Sequence, residues 1–346
     1  MPKHLRSWFR SSLRNSLISS VGLVQIRFAA LCVFVVLLQA LGAAQSADDV
    51  HITPNESHKG IQRELGAASG RLRMDVEMVL VPVTVTDVKN HPVVDLARQN
   101  FRLFEGESEE KIQYFDTEDA PLSVGILVDL SSSMSDKIDA VREAVSEFFK
   151  NANPEDDYFV ITFADKPKLL ANTTQSIEDI NAAMGAAKPK GNTALADAIY
   201  MGLAKLHSAK YSRKALLVIS DGGDNHSRYT EGEIKNLVKE ADVMIYSIGI
   251  YDHYFQTEEE RLGPALLSDI SDLSGGRSFT IDNPNDLADV ATKIGIELRN
   301  QYVLGYRPKN PGHDGKWHKI KVKLLPPKGL PPLHVYARTG YYASSQ

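Results

Sequence analysis

Between residues 121 and 300, short apolar runs alternate with longer segments whose apolar residues recur every three or four positions. The run SVGILVDL at 123–130 is followed by residues 136–150, which place Ile138, Val141 and Val145 on one helical face. Further apolar runs, each followed by a helical pattern, continue to position 300. This alternation predicts an α/β fold, with a doubly wound, mostly parallel central sheet flanked by helices.

Two segments on either side of this region, 75–117 and 301–346, alternate with a period of two and predict β-strands. The first also contains a hairpin signal around Gly106. Each segment alone has too few strands to bury a sheet face. We therefore expect them to complete one sheet, a smaller β-sandwich-like domain built from the N- and C-terminal strands. The α/β domain, predicted over 121–300, would be inserted between them.

The N-terminal 47 residues predict a signal peptide. A basic stretch leads into the apolar run FAALCVFVVLLQAL at 28–41, and small residues follow it. Fourteen residues are short for a membrane span, which needs about 20. An uncleaved anchor is the alternative, and it would be the chain's only contact with a membrane. Both readings predict an exported protein that is periplasmic, secreted or associated with the cell envelope; polar residues 48–73 then form a linker.

Charge and cysteine content narrow the classes of function. The first 44 residues hold five of the 39 basic side chains and no acidic one, so the remainder carries 34 basic against 44 acidic side chains. An acidic body argues against a nucleic-acid partner. The single cysteine, Cys32, lies in the apolar N-terminal run. The mature chain would have no thiolate metal site and no cysteine nucleophile.

Three oxygen-rich loops follow predicted strands or precede predicted helices. They contribute Asp129, Ser131 and Ser133 in DLSSSM, Thr193 in GNTAL, and Asp221 in SDGGDN. In open parallel sheets, ligands bind at the carboxyl ends of the strands, so these loops are expected to share one edge. Each loop also has a structural explanation, since Ser and Thr cap helices and Asp-Gly-Gly forms turns. Together, carboxylates and hydroxyls suit Mg²⁺, and Mn²⁺ would fit the same oxygens.

In this order, the three loops resemble those of the von Willebrand factor type A domain, a Rossmann-like fold with a metal-ion-dependent adhesion site. The resemblance implies that Asp129, Ser131, Ser133, Thr193 and Asp221 hold the metal, the hydroxyls directly and the carboxylates directly or through water. The flanks, with LVPVTVTD, APLSVGILVD and YVLGYRP, resemble a bacterial subgroup of this family that is common in acidobacteria.

The sequence favours a non-enzymatic, exported binding or adhesion module, in which Mg²⁺ bridges the protein to a carboxylate on a protein partner. Asp224 and Asn225 would line the rim of that site, unless they are ordinary polar loop residues. A structural or assembly scaffold of the cell envelope is the alternative. A metal-dependent hydrolase is less favoured, because the sequence contains no G-x-S-x-G, phosphate-binding-loop or G-x-G-x-x-G motif.

Overall fold

A six-stranded sheet forms the centre of the computed structural model, which describes residues 78–117, 120–251, 258–309, 314–327 and 329–343. The predicted signal peptide and linker lie outside these residues. The strand order is β10-β9-β8-β5-β6-β7, and every neighbouring pair is parallel except β6 with β7. The strands are β5 (Ser123–Asp129), β6 (Asp157–Phe163), β7 (Pro167–Thr174), β8 (Lys214–Ser220), β9 (Met244–Ile250) and β10 (Ser278–Ile281).

Helices cover both faces of this sheet. Apolar residues of α1, α2 and α6 pack on one face, and those of α3, α4 and α5 pack on the other. β5 serves both cores, because Val124, Ile126 and Val128 face the first layer and Leu127 faces the second. The helices are α1 (Ile138–Phe149), α2 (Ile177–Gly185), α3 (Leu195–His207), α4 (Glu231–Glu240), α5 (Glu258–Ser274) and α6 (Leu287–Arg299).

Local side-chain chemistry fixes where several helices begin. The hydroxyl of Ser176 accepts a hydrogen bond from the backbone N–H of Asp179 and caps α2. Thr230 and Glu233 form a reciprocal capping box at the start of α4. Short 3₁₀ turns lie at Arg98–Asn100, Ser132–Met134 and Pro284–Asp286. The turn Ser132–Met134 lies within the first oxygen-rich loop and precedes α1.

Strands from before and after the α/β region pair with one another in two antiparallel sheets, and not in the one sheet that the sequence predicted. Their orders are β13-β1-β11-β4 and β14-β12-β2-β3. A third apolar core, including Val81, Val83, Leu103 and Leu304, lies between the sheets. The strands are β1 (Val79–Thr86), β2 (Phe101–Glu105), β3 (Ser108–Glu110), β4 (Tyr114–Asp116), β11 (Tyr302–Tyr306), β12 (Trp317–Leu324), β13 (His334–Ala337) and β14 (Gly340–Tyr342).

The predicted fold class is therefore confirmed: a mostly parallel sheet flanked by helices, with additional antiparallel sheets. Arg277 forms a buried ion pair within the α/β region and also contacts the sandwich. Directly before β10, it bonds Glu297 on α6 and donates a 2.7 Å hydrogen bond to Oδ1 of Asn90, which follows β1. The Arg277 guanidinium also lies over the ring of Tyr336 on β13. The last helix is thus fastened to both parts of the molecule.

Candidate metal centre

Asp129 and Asp221 lie at the carboxyl ends of neighbouring strands. Asp129 is the last residue of β5, and Asp221 directly follows the last residue of β8. The two strands are parallel, with Val128 opposite Ile219. The register therefore brings the two carboxylates to the same edge of the sheet. Both residues are buried, with 0% and 4% of their surface exposed.

Hydrogen bonds hold the carboxylate of Asp129 in place. Its Oδ1 accepts from the backbone N–H of Ser131 at 2.8 Å, and its Oδ2 accepts from the hydroxyl of Ser220 at 2.6 Å. The hydroxyls of Ser131 and Ser133 lie 3.0 Å apart. Ser131 is the residue before the 3₁₀ turn Ser132–Met134, but its side chain makes no capping hydrogen bond there. The Ser131 hydroxyl therefore does not act as a helix cap in this structure.

The electrostatics of the centre disfavour a second negative charge. Burial, followed by the negative charge of Asp221, raises the pKa of Asp129 to about 7, although hydrogen bonds from Ser220 and Ser131 lower it. Burial, followed by the same Asp221 charge, also raises the pKa of the Tyr251 phenol. Asp221 thus acts electrostatically on both neighbours. A positive charge at this place would stabilise both carboxylates in their ionised forms.

One positive charge of the chain is already close to the pair. The ammonium of Lys137 lies 3.8 Å from Oδ2 of Asp221. The side chains of Lys137 and Asp221 are 12% and 5% exposed. This distance is longer than a hydrogen bond, so the contact is an ion pair and not a charge-assisted hydrogen bond.

The loop that carries Thr193 is fastened to the loop after Asp129. Ser132 donates a backbone hydrogen bond to the carbonyl oxygen of Gly191 at 3.1 Å, and the Ser132 hydroxyl accepts from the Gly191 N–H at 3.0 Å. Lys190 donates a backbone hydrogen bond to the carbonyl oxygen of Leu130 at 2.7 Å. Thr193 itself is buried, with 5% of its surface exposed. The structure thus aligns the first two oxygen-rich loops along each other.

The loop after Asp221 is fastened to Thr193 from the other side. Asn225 and His226 donate backbone hydrogen bonds to the Thr193 carbonyl oxygen at 3.1 and 3.0 Å. The Asn225 side-chain oxygen accepts from the Thr193 N–H at 3.0 Å. All three oxygen-rich loops are therefore connected by hydrogen bonds at one edge of the sheet. We call Asp129, Ser131, Ser133, Thr193 and Asp221 the five-residue centre.

The two predicted rim residues have structural contacts of their own. Oδ2 of Asp224 accepts a 2.9 Å hydrogen bond from the N–H of Ala196, in the first turn of α3. Asp224 therefore accepts a hydrogen bond from a free N–H at the start of α3. This is the capping role that the sequence also allowed for Thr193. The side chain of Asn225 holds the backbone of Thr193, as described above. Both residues stabilise the loops that form the centre, and a role in contacting a ligand stays a prediction.

Gly222 is required by the geometry next to Asp221. Its φ of +81° is a conformation that side chains disfavour. A Cβ there would lie 2.8 Å from the hydroxyl oxygen of Tyr251 and 2.9 Å from the backbone of Gly263. The close approach of Gly222, Tyr251 and Gly263 leaves room only for a glycine directly after Asp221, so Gly222 contributes to the geometry of the site.

Ser220 and Lys137 are parts of the centre that the sequence motifs did not identify. Ser220 ends a buried strand, and its importance depends on the register that sets it beside Asp129. The position of Lys137 in the sequence is itself informative. It precedes the first turn of α1, where the helix dipole disfavours a cation. A lysine in such a position indicates a nearby negative charge that compensates it.

The donor set of the five-residue centre is two carboxylates and three hydroxyls, the oxygen types that a hard divalent cation prefers. Within the described part of the chain, no group of three or more His, Cys, Asp or Glu side chains is suited to hold a metal ion. A cation at this edge would therefore depend on the hydroxyls as well as on the two carboxylates. Such a donor set favours Mg²⁺ or Mn²⁺ over Zn²⁺.

Solved structures similar to this chain include a membrane protein, a von Willebrand factor type A protein and a pilus adhesin. An aerotolerance-related membrane protein from Bacteroides fragilis is 18% identical, with 51% of this chain and 98% of that chain covered and a TM-score of 0.42. A von Willebrand factor type A protein from Catenulispora acidiphila is 13% identical, with coverage of 68% and 75% and a TM-score of 0.46. The pilus adhesin SpaC from Lactobacillus rhamnosus is 12% identical, with coverage of 73% and 49% and a TM-score of 0.44. Likenesses this weak carry no functional argument.

No curated protein sequence matches the chain significantly. The family model of the von Willebrand factor type A domain matches residues 124–223. This range contains β8, all of β5 except Ser123, and all members of the five-residue centre, while both flanking sheets lie outside it. By this match, the chain contains a segment, residues 124–223, that is similar to the von Willebrand factor type A domain.

Proposed function

We propose that this chain is an exported, non-catalytic binding module whose five-residue centre holds a divalent cation that recognises an acidic group on a protein partner. Von Willebrand factor type A domains are generally non-catalytic modules with roles in protein interaction, adhesion or assembly. Our proposal adds three points to these general roles: the chain binds a divalent cation, the cation binds an acidic group of the partner, and the chain is exported.

One observation supports the metal most strongly. Two buried carboxylates meet at the strand ends, and the charge of Asp221 contributes to raising the pKa of Asp129 to about 7. Such a pair is costly to keep ionised unless positive charge is close, and the Lys137 ammonium supplies only one of the two positive charges that would balance it. The net negative charge that is left favours a divalent cation beside the two carboxylates.

The residues of the centre would have different roles in holding the cation. Asp129 and Asp221 supply the negative charge, and the hydrogen bonds from Ser131 and Ser220 keep Asp129 oriented. The hydroxyls of Ser131, Ser133 and Thr193 are neutral ligands that do not add to this charge. A cation bound in this way supplies an electrophilic site that accepts a carboxylate oxygen from another molecule.

Binding is favoured over hydrolysis by the surroundings of the serines. The hydroxyls of Ser131 and Ser133 are within hydrogen-bond distance of each other. Among the described residues, neither hydroxyl bonds to a histidine that could act as its base, as a serine nucleophile requires.

The N-terminal sequence supports export. Its basic and apolar segment lies outside the described residues, and within the described residues no helix has the length and apolarity needed to cross a membrane. A periplasmic, secreted or envelope-associated location follows from the signal-peptide interpretation of residues 1–47.

Calorimetric titration of Mg²⁺ and Mn²⁺ into the metal-stripped chain tests the proposal. We expect the wild type to bind one cation, and Asp129→Ala and Thr193→Ala to bind it at least about tenfold more weakly. Both variants should keep the circular dichroism spectrum of the wild type. Equal cation affinity in the wild type and in Asp129→Ala would reject the assignment of the centre.

A further inference from the structure

Lys137 occupies an electrostatically unfavourable place in the chain. It is the residue before α1 (Ile138–Phe149), and its side chain makes no capping hydrogen bond to the helix. The positive end of the helix dipole lies at this terminus, so a carboxylate is favoured there and an ammonium is disfavoured. Something outside the helix has to compensate the charge of Lys137.

The compensation comes from the five-residue centre. The side chain of Lys137 is only 12% exposed, although lysine normally extends its ammonium into water. Its ammonium lies 3.8 Å from Oδ2 of Asp221, which is itself buried. By contrast Lys150, which directly follows the other end of α1, has a side chain that is 66% exposed and pairs with Glu147 on the surface.

We propose that Lys137 is a resident counter-charge of the five-residue centre, which competes with the divalent cation and makes the metal-loaded centre selective for an anionic ligand. This inference rests on the proposed function and adds a residue that tunes it. Lys137 itself needs no contact with the cation, because it acts through the charge it places beside Asp221.

The count of charges explains the selectivity. Two ionised carboxylates and the Lys137 ammonium leave the centre with one net negative charge. A divalent cation changes this to one net positive charge, and a carboxylate from a ligand then brings the centre to neutrality. Without Lys137, the cation alone would neutralise the centre, and a ligand carboxylate would add an uncompensated negative charge at a buried place.

The first arm of the test measures cation affinity alone. Mg²⁺ is titrated calorimetrically into the metal-stripped wild type, Lys137→Met, Lys137→Arg and the control Lys150→Met. A charge within about 4–6 Å changes ionic equilibria by one or more powers of ten. We therefore expect Lys137→Met to bind Mg²⁺ about tenfold more tightly, with Lys137→Arg and Lys150→Met within about threefold of the wild type.

The second arm measures how well the loaded centre takes a carboxylate. Each variant is loaded with Mn²⁺ and titrated with acetate, and water-proton relaxation reports the water displaced from the cation. We expect Lys137→Met to bind acetate about tenfold more weakly than the wild type, again with Arg close to the wild type. The two affinities move in opposite directions, which a general loss of structure does not produce.

If Lys137→Met folds poorly, its stability can still be tested by measuring Tm in EDTA, which removes the metal. We expect this variant to have a lower Tm than Lys150→Met, because it leaves Asp221 without its ion pair. Asp221→Asn in the same chain should recover part of the loss. Failure of that second substitution to recover any stability would count against the proposal.

The results separate this proposal from the proposed function. Unchanged or weaker Mg²⁺ affinity in Lys137→Met, with the wild type binding and Asp129→Ala not binding, overturns the role of Lys137 and leaves the metal centre standing. Lys137→Arg behaving like Lys137→Met also overturns it. Tighter Mg²⁺ binding combined with weaker acetate binding in Lys137→Met supports it, and an absence of Mg²⁺ binding in every variant overturns both proposals.

Discussion

The hydroxyl of Ser220 donates a 2.6 Å hydrogen bond to Oδ2 of Asp129, from β8 to the neighbouring strand β5. The same Ser220 oxygen accepts a 3.0 Å hydrogen bond from the N–H of Gly222. One buried serine therefore orients the carboxylate that ends β5 and the loop that follows Asp221. It is a supporting residue of the centre whose contacts can be removed without changing any member of the five-residue centre.

Ser220→Ala should weaken cation binding and lower stability. The variant removes a hydrogen bond from a buried carboxylate, which costs about 1–3 kcal/mol in the free energy of unfolding. Loss of such support for a metal ligand lowers metal affinity by about tenfold or more. Urea unfolding and Mg²⁺ calorimetry measure the two effects. Ser208→Ala is the control, because its hydroxyl bonds only the exposed end of α3 at Lys205; a similar loss of Mg²⁺ affinity there would contradict the role given to Ser220.

Cation binding should weaken as the pH falls below neutrality. Asp129 ligates a cation in its ionised form, and its pKa is about 7 in the metal-free protein because of burial and the charge of Asp221. Protons therefore compete with the cation below this value, and metal binding releases a proton there. We expect Mg²⁺ affinity to fall by about fivefold from pH 7 to pH 6 and to level off above pH 8. Calorimetry in two buffers of different ionisation enthalpy measures the released proton, and an affinity that is constant from pH 6 to pH 8 would contradict the assignment.

Gly222→Ala should damage the centre through the backbone. Its φ of +81° and the 2.8 Å approach of the Tyr251 hydroxyl leave no unstrained place for a Cβ. We expect a loss of about 1–3 kcal/mol in the free energy of unfolding, together with weaker Mg²⁺ binding. Gly232→Ala in α4 is a matched control, because a Cβ there meets nothing within 4 Å and alanine favours helix. The account would be contradicted if the two variants had the same stability.

Breaking the buried pair between Arg277 and Glu297 should destabilise the protein strongly. Burial raises the pKa of Glu297 to about 7, although Arg277 lowers it. Glu297→Gln leaves the always-charged guanidinium buried without its carboxylate, and we expect a loss of about 3–5 kcal/mol in the free energy of unfolding. Replacing both residues with methionine should recover much of this loss.

The surface pair between Arg102 and Glu109 provides the control for this prediction. Solvent-exposed ion pairs contribute little to stability, so Glu109→Gln should leave Tm almost unchanged. Urea unfolding of all three variants measures the difference. A Glu297→Gln variant as stable as the wild type would show that the buried pair does not hold the last helix in the way described.

The sequence predicted the features that depend on residue pattern. Alternating strands and helices gave the fold class, and the three oxygen-rich loops were found because Asp129, Thr193 and Asp221 stand beside recognisable elements. Ser220 was not predicted, since its importance depends on which strands are neighbours and in which register. Lys137 stands at a position that is unusual for a lysine, but the carboxylate that compensates its charge, Asp221, is 84 positions away and is brought close only by tertiary packing. The contacts of Asp224 with α3 and of Asn225 with Thr193 likewise join residues 28 and 32 positions apart. Such contacts are set by tertiary packing and leave no periodic signal in the chain.

The central claim is that a divalent cation lies on the five-residue centre. Anomalous diffraction from crystals of the chain grown with Mn²⁺ tests it directly, because the anomalous signal locates the metal itself. We predict one peak at the carboxyl ends of β5 and β8, within about 2.0–2.3 Å of the hydroxyl oxygens of Ser131, Ser133 and Thr193. A structure at millimolar Mn²⁺ with no peak at this edge, or with Mn²⁺ bound only elsewhere, would contradict the account.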